Sequence, residues 1–170
     1  MNFSIIIPVY NEQKNISKLF NEITNSIDKN LNYEVLFIND ASNDETLTEI
    51  KKISSKNISY INNETNLGQS LSIYKGVENS KYDTIVTIDG DLQNDPVDIM
   101  RLVNIYYEEN LCLVAGIRNK RQDSLVKIIA SKLANRFRMI ILNDNCIDTG
   151  CSLKVFSKSK FLKIPKFNGL

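Results

Sequence analysis

The stretch "TIVTIDGDLQNDP", residues 84–96, sets four acidic or amide side chains against an apolar β-branched run. Asp89, Asp91, Gln93 and Asp95 alternate directly after it, so oxygen ligands from one short loop can converge on a hard cation. An Asp-Gly-Asp sequence is also ordinary turn chemistry. An EF-hand is excluded, because Gln93, Asn94 and Met100 stand where that loop needs an acid or Asn, a Gly and a Glu. The chemistry that fits is a pair of carboxylates holding Mg²⁺ or Mn²⁺, with coordination positions left for substrate phosphates.

Other chemistries are excluded by what the chain lacks. With no histidine, Ser-His-Asp and Cys-His catalysis are impossible. Cys112, Cys146 and Cys151 have no framework spacing, which suits a reduced setting without disulfides; Cys112 reads as core. No G-x-G-x-x-G follows the first apolar run and no G-x-x-x-x-G-K-[ST] occurs, so a dinucleotide or P-loop phosphate cradle is missing. A nucleotide bound here would be held through a metal.

The elements that must position these acids alternate in type. "FSIIIPV", "YEVLFI", "ISYI", "TIVTI" and "LCLVAG" read as strands, each followed by a segment of helical period, and "CSLKVFS" reads as a last strand. That alternation predicts one α/β domain over residues 1–170, a mainly parallel central sheet flanked by helices in three layers. Ser42 and Glu45 are spaced as a capping box, and Pro96 opens the helix after the acidic stretch. Ligands of such sheets sit beyond the carboxyl ends of the strands. "PVYNE", "INDASND" and "IDGDLQND" all fall there.

Charge is divided along the chain. Residues 1–112 carry 9 basic and 17 acidic side chains, and residues 113–170 carry 12 and 3. The basic part suits an anionic partner, either phosphate or a lipid headgroup surface, as well as it suits a solvated face. The segment 125–142 is interrupted by Lys127, Lys132, Arg136 and Arg138, too often for a membrane span. It reads as a packing helix through Leu125, Ile129, Leu133 and Phe137, with Lys132 and Arg136 one turn apart for peripheral contact with an anionic membrane. The start "MNFSIIIPVYNE" lacks a basic n-region and reads as a strand, not a signal peptide.

Six ordered blocks, "SIIIPVYNE", "FINDASNDET", "NLGQSLSIYKG", "TIVTIDGDLQNDP", "AGIRNKRQD" and "DTGCSLKVF", resemble family 2 glycosyltransferases, and within them the polyprenyl-phosphate, dolichol-phosphate mannose synthase-like branch. The resemblance implies a GT-A (Rossmann-like) fold and an inverting transfer of a hexose, mannose or glucose, from a GDP- or UDP-sugar to a polyprenyl phosphate. It implies Mg²⁺ or Mn²⁺ as cofactor, no nucleic acid partner, and a cytoplasmic place at the face of a membrane. Pro8, Tyr10 and Glu12 match the nucleotide-binding block of the first strand, and Asp40 the acid that contacts the base. Asp89 and Asp91 match the metal-binding DxD pair, Asp89 also reaching the ribose, and Gln93 matches a further metal ligand. Arg118 and Arg121 match basic residues near the phosphates; Asp148 and Lys154 fall in the acceptor-side block, Asp148 being the candidate base for a sugar hydroxyl acceptor.

Departures from the family pattern are Ser152, where Gly is usual, and Gln69, where Lys is frequent. Relatives of this branch also continue beyond "PKFNGL" with further basic residues and a membrane-associated tail, so the C-terminal part of the family domain is expected to be absent. Alternatives are transfer to a saccharide hydroxyl, a nucleotide-sugar-binding module without catalysis and, last, a nucleotidyltransferase, whose Gly- and Arg-rich loop "PVYNEQKN" lacks.

Overall fold

A computed structural model describes residues 1–117, 148 and 150–165. Its order is β1 (Asn2–Val9), α1 (Ile16–Ser26), β2 (Asn32–Asn39), α2 (Thr46–Lys52), β3 (Ile58–Asn62), α3 (Gln69–Asn79), β4 (Thr84–Thr87), α4 (Val97–Glu108), β5 (Leu113–Ala115), β6 (Lys154–Ser157) and the single turn α5 (Lys158–Phe161). The expected helix at 124–142 and Cys146 lie outside the described residues.

The six strands form one sheet in the order β3-β2-β1-β4-β6-β5. β1 runs parallel to β2 and to β4, and β2 parallel to β3. β6 inserts antiparallel to both β4 and β5, so every strand but β6 points the same way. The interior strands read as unbroken apolar runs because both faces are covered. Phe3, Ile5, Ile7, Val35, Phe37 and Val86 pack against Ile16, Leu19 and Ile23 of α1, Ile50 of α2 and Ile99 and Val103 of α4. On the other face Ile6, Leu36, Ile38 and Ile85 meet Val77 of α3, joined by Phe161 and Leu162. Three layers result, as the strand and helix alternation predicts.

The spacing Ile16, Leu19, Phe20, Ile23 gives α1 its buried stripe. α3 comes closest to the sheet at Gly76, where a Cβ would lie 2.4 Å from Ile6 Cγ2. Pro8 fits in a central strand because the ladder to β4 ends two residues earlier, at Ile6 opposite Thr87.

Two expectations are corrected here. The Ser42–Glu45 capping box does not form: α2 begins at Thr46, the Glu45 side chain makes no cap bond, and Asp44 Oδ1 accepts instead from the Thr46 N–H (3.0 Å). Ser42 Oγ is used elsewhere, donating to Asn39 Oδ1 and accepting from Asn11 N–H. Cys112 is exposed and not core, because β5 begins one residue later and leaves the thiol beside Lys160 Nζ at 3.0 Å. Cys151, by contrast, is buried.

Candidate nucleotide cleft

A cleft of about 260 Å³ opens at the carboxyl ends of β1, β2 and β4, lined by Pro8, Val9, Tyr10, Glu12, Asp40, Gln69, Ser72, Asp89, Gly90 and Asp91. A larger cavity, about 370 Å³, lies at the other end of the sheet, around Asn32, Tyr33, Ile58, Lys81 and Tyr82. The smaller one is the candidate site, because it gathers the acids and sits where open α/β sheets bind ligands.

The walls are fixed by cross-links between loops. Six hydrogen bonds tie the turn after β1 to the turn after β2: Asn11 N to Ser42 Oγ, Glu12 N to Thr46 Oγ1, Gln13 N to Asp44 Oδ2, Asn43 N to Asn11 Oδ1, Glu45 N to Gln13 Oε1, and Asn43 Nδ2 to Tyr10 OH. They hold Asn11 and Ala41 at φ 58°, in the left-handed region that ordinary residues avoid. Tyr10 lines the cleft and keeps 44% of its surface exposed.

Asp40 ends β2 and is 4% exposed. Its Oδ1 accepts from Asn63 Nδ2 (2.8 Å) and Leu67 N–H (2.9 Å), and its Oδ2 from Gly68 N–H (2.8 Å). The carboxylate thus shapes the turn before α3. Asn63 Nδ2 also reaches Ser72 Oγ at 3.2 Å, and Lys75 Nζ donates to Asn63 Oδ1 at 2.9 Å.

Asp89 and Asp91 follow β4 into the cleft. Asp89 Oδ1 accepts from Gln69 Nε2 at 2.6 Å, across 20 positions of sequence. Asp91 Oδ1 accepts from Gln93 N–H at 3.0 Å, closing a local turn with Leu92 at φ 62°. Gly90 allows the turn to approach β1: a Cβ there would lie 2.7 Å from Val9 Cγ1. Burial pushes the Glu12 carboxyl above its usual range, and repulsion from Asp91, Asp44 and Asp89 adds to this against the 2.6 Å hydrogen bond from Asn15 Nδ2.

The remaining expected site residues fall as follows. Gln93 is exposed and does not line the cleft. Asp95 does not line the cleft; its Oδ1 accepts from Val97 N–H at 3.0 Å at the start of α4. Asp148 is buried, with Gly150 N–H donating to its Oδ1 at 3.1 Å. Lys154 donates to the Cys151 carbonyl and does not reach the cleft wall. Arg118 and Arg121 lie outside the described residues. Sequence reasoning missed Gln69 and Asn94 as structural partners of the acidic loop. Asn94 Nδ2 donates to Ser152 Oγ (2.8 Å), and Thr87 Oγ1 to the Ser152 carbonyl (2.6 Å), so the block at 148–153 is docked beside β4. Ser152, a departure from the family pattern, is therefore one of the residues that join the two blocks, beside Cys151, whose Sγ reaches Asn94 Oδ1 at 3.5 Å.

Oxygen donors alone line the acidic side, the set a hard divalent cation prefers. Burial is the main cause of Glu12's raised carboxyl, and a cation here would relieve the smaller part that comes from Asp91 and Asp89. Among the described residues no three carboxylate, thiol or imidazole groups form a cage. A cation here would take Asp89 and Asp91 and complete its shell with water and phosphate, the habit of Mg²⁺. No helix among the described residues is long and apolar enough to cross a membrane.

The model of "Glycosyl transferase family 2" matches residues 4–164. Undecaprenyl-phosphate 4-deoxy-4-formamido-L-arabinose transferase of Aeromonas hydrophila is 33% identical over 159 residues, 91% of this chain and 48% of the relative. The protein of that name from Pectobacterium atrosepticum is 34% identical over 161 residues, 92% and 49%. The chain thus spans about half the length of the curated relatives it matches. Among solved structures, Mycobacterium tuberculosis glucosyl-3-phosphoglycerate synthase with Mn²⁺ and UDP-glucose superposes with TM-score 0.74 at 17% identity, covering 96% of this chain and 58% of that one. S. aureus TarS with UDP-GlcNAc gives 0.67 at 21% identity, covering 96% and 47%. With the match to the family model extending over nearly every residue and the sheet of its structural neighbours, the chain belongs to glycosyl transferase family 2 and has the GT-A fold.

Proposed function

We propose that the chain is the donor-binding part of an inverting, metal-dependent glycosyltransferase that moves a sugar from a UDP-sugar to undecaprenyl phosphate. The observation that carries this reading is the convergence of Pro8, Tyr10, Asp40, Asp89 and Asp91, from three separate strand ends, on one cleft. The names of the curated relatives support the lipid phosphate acceptor. UDP, UDP-GlcNAc and UDP-glucose bound by the structural neighbours support uridine over guanosine. For the sugar, 4-deoxy-4-formamido-L-arabinose joins mannose and glucose as a candidate.

In this reading Tyr10 offers its ring face to the base. Asp40 has three acceptor positions filled out of about four that a carboxylate offers, so one remains for a ring N–H. Asp89 and Asp91 hold Mg²⁺ or Mn²⁺ with the donor pyrophosphate, Asp89 also accepting from the ribose. The cation, when bound, supplies Lewis-acid stabilisation of the departing diphosphate. Arg118 and Arg121 add positive charge near the phosphates. A lipid phosphate oxygen is already anionic at neutral pH, so the chain need not supply a base, which suits the absence of histidine. Asp148 and Lys154 are assigned to the acceptor side.

The test is incubation of the protein with undecaprenyl phosphate in detergent, Mn²⁺ or Mg²⁺, and in turn UDP-glucose, GDP-mannose and UDP-4-deoxy-4-formamido-L-arabinose. Formation of a glycosyl lipid with release of UDP, abolished by chelator, is the expected result. Release of GDP alone, turnover unaffected by chelator, or nucleotide binding with no product from any donor would contradict it.

A further inference from the structure

We infer that Gln69 is a positioning residue for Asp89: its side-chain amide holds one oxygen of that carboxylate and so aims the other for the cation and donor. The inference rests on the reading of the cleft given above. Gln69 Nε2 donates to Asp89 Oδ1 at 2.6 Å. A carboxylate is planar and rigid, so fixing Oδ1 fixes the direction of Oδ2. The amide does this without a charge of its own, and Asp89 keeps the negative charge that a cation needs. A bond from lysine would neutralise it in part.

What makes Gln69 able to do this is the turn in front of it. Leu67 and Gly68 are pinned through their N–H groups to Asp40, and Gly68 adopts φ 82° as the residue before α3. A Cβ on Gly68 would meet nothing within 4 Å, so glycine is needed there for its backbone conformation and not for space. Gln69, the first residue of α3, is then directed across the end of β1 toward β4. Asp40, the 67–68 turn, Gln69 and Asp89 thereby form one connected path along the cleft from the end of β2 to the end of β4.

The test uses calorimetric binding of UDP to the full chain with Mn²⁺ and with chelator, comparing wild type and Gln69→Leu, which keeps the side-chain bulk and removes the donor. Loss of one charge-assisted hydrogen bond predicts a UDP affinity in Mn²⁺ lowered by roughly tenfold or more, with metal-free UDP binding changed by less than about threefold. An equal loss in both conditions would mean that Gln69 contacts the nucleotide or shapes the wall, and would overturn the positioning role. So would unchanged binding in Mn²⁺ beside metal-dependent binding by wild type. No Mn²⁺-dependent binding by wild type would overturn the reading of the cleft itself. A second measurement needs no ligand: urea unfolding of Gln69→Leu, Asp89→Ala and the double variant. Non-additive effects on stability are expected for a direct bond, and additive ones would overturn it.

Discussion

Replacing Asp40 by alanine should cost stability before any nucleotide is added. Its carboxylate accepts from Asn63 Nδ2, Leu67 N–H and Gly68 N–H. Asn63 is 2% exposed, so its amide cannot turn to water, and this bond carries the value of a charge-assisted contact, about 2 kcal/mol. Leu67 and Gly68 lie at the surface, where water replaces the lost acceptor, and about 0.5 kcal/mol each is reasonable for them. The sum is about 3 kcal/mol. For a domain of this length 1 kcal/mol moves the midpoint by about 2–4 °C, so Tm should fall by roughly 6–12 °C. Asp40→Asn keeps one carbonyl oxygen for Asn63 and Leu67 and turns an NH₂ toward Gly68, so an intermediate loss is expected. Thermal unfolding followed by circular dichroism, without nucleotide or metal, measures both. An Asp40→Ala midpoint within 1 °C of wild type would refute the assignment of this carboxylate as the anchor of the turn before α3.

Gly90→Ala places a methyl group 2.7 Å from Val9 Cγ1, and Val9 is 3% exposed and cannot move aside; a loss of about 1–3 kcal/mol in urea unfolding is expected, with weaker Mn²⁺-dependent UDP binding as the acidic turn shifts. Burial opposes ionisation of Asp83, but hydrogen bonds from Ser159 N–H and Ser157 Oγ, with Lys158 nearby, outweigh it and hold the carboxyl below its ordinary value. A lowered folded value means stability that is present at neutral pH and lost on acidification. Asp83→Asn should therefore be less stable than wild type by roughly 1 kcal/mol at pH 7, with the difference shrinking as acid protonates the wild-type carboxylate; a difference independent of pH would contradict this. Asn110 closes α4 at φ 50°, with Leu111 N–H donating to the Tyr106 carbonyl, so Asn110→Gly should raise stability by about 0.5 kcal/mol in thermal unfolding.

The fold was legible because burial on both faces writes itself as unbroken apolar runs. "SIIIPV" and "TIVTI" could be little else than interior strands of a parallel sheet, and the acids that follow them had to emerge at its ligand edge. Asp89, Asp91, Tyr10 and Asp40 were found for that reason. What stayed hidden depends on pairing between distant positions. Gln69 and Asp89 are 20 residues apart, Asn94 and Ser152 are 58 apart, and no local pattern announces either bond. Local patterns also mislead where one side chain has several uses. Ser42 has the spacing of a helix cap, but the turn after β1 competes for its hydroxyl and wins. Asp95 extends the acidic alternation, yet its Oδ1 also accepts the Val97 N–H at the start of α4. Cys112 was placed inside by its apolar neighbours, while the strand that would bury it starts at Leu113.

The central claim is that the acids after β4 hold the cation that carries a nucleoside diphosphate. Calorimetric titration of UDP into the wild-type chain and into Asp91→Ala, each with Mn²⁺ and with chelator, tests it most directly. Binding that Mn²⁺ strengthens in the wild type and that is weakened, in Mn²⁺, on the order of a hundredfold in the variant, as expected for loss of a carboxylate ligand, is the predicted result. Equal binding by both proteins, or binding indifferent to chelator, would contradict it.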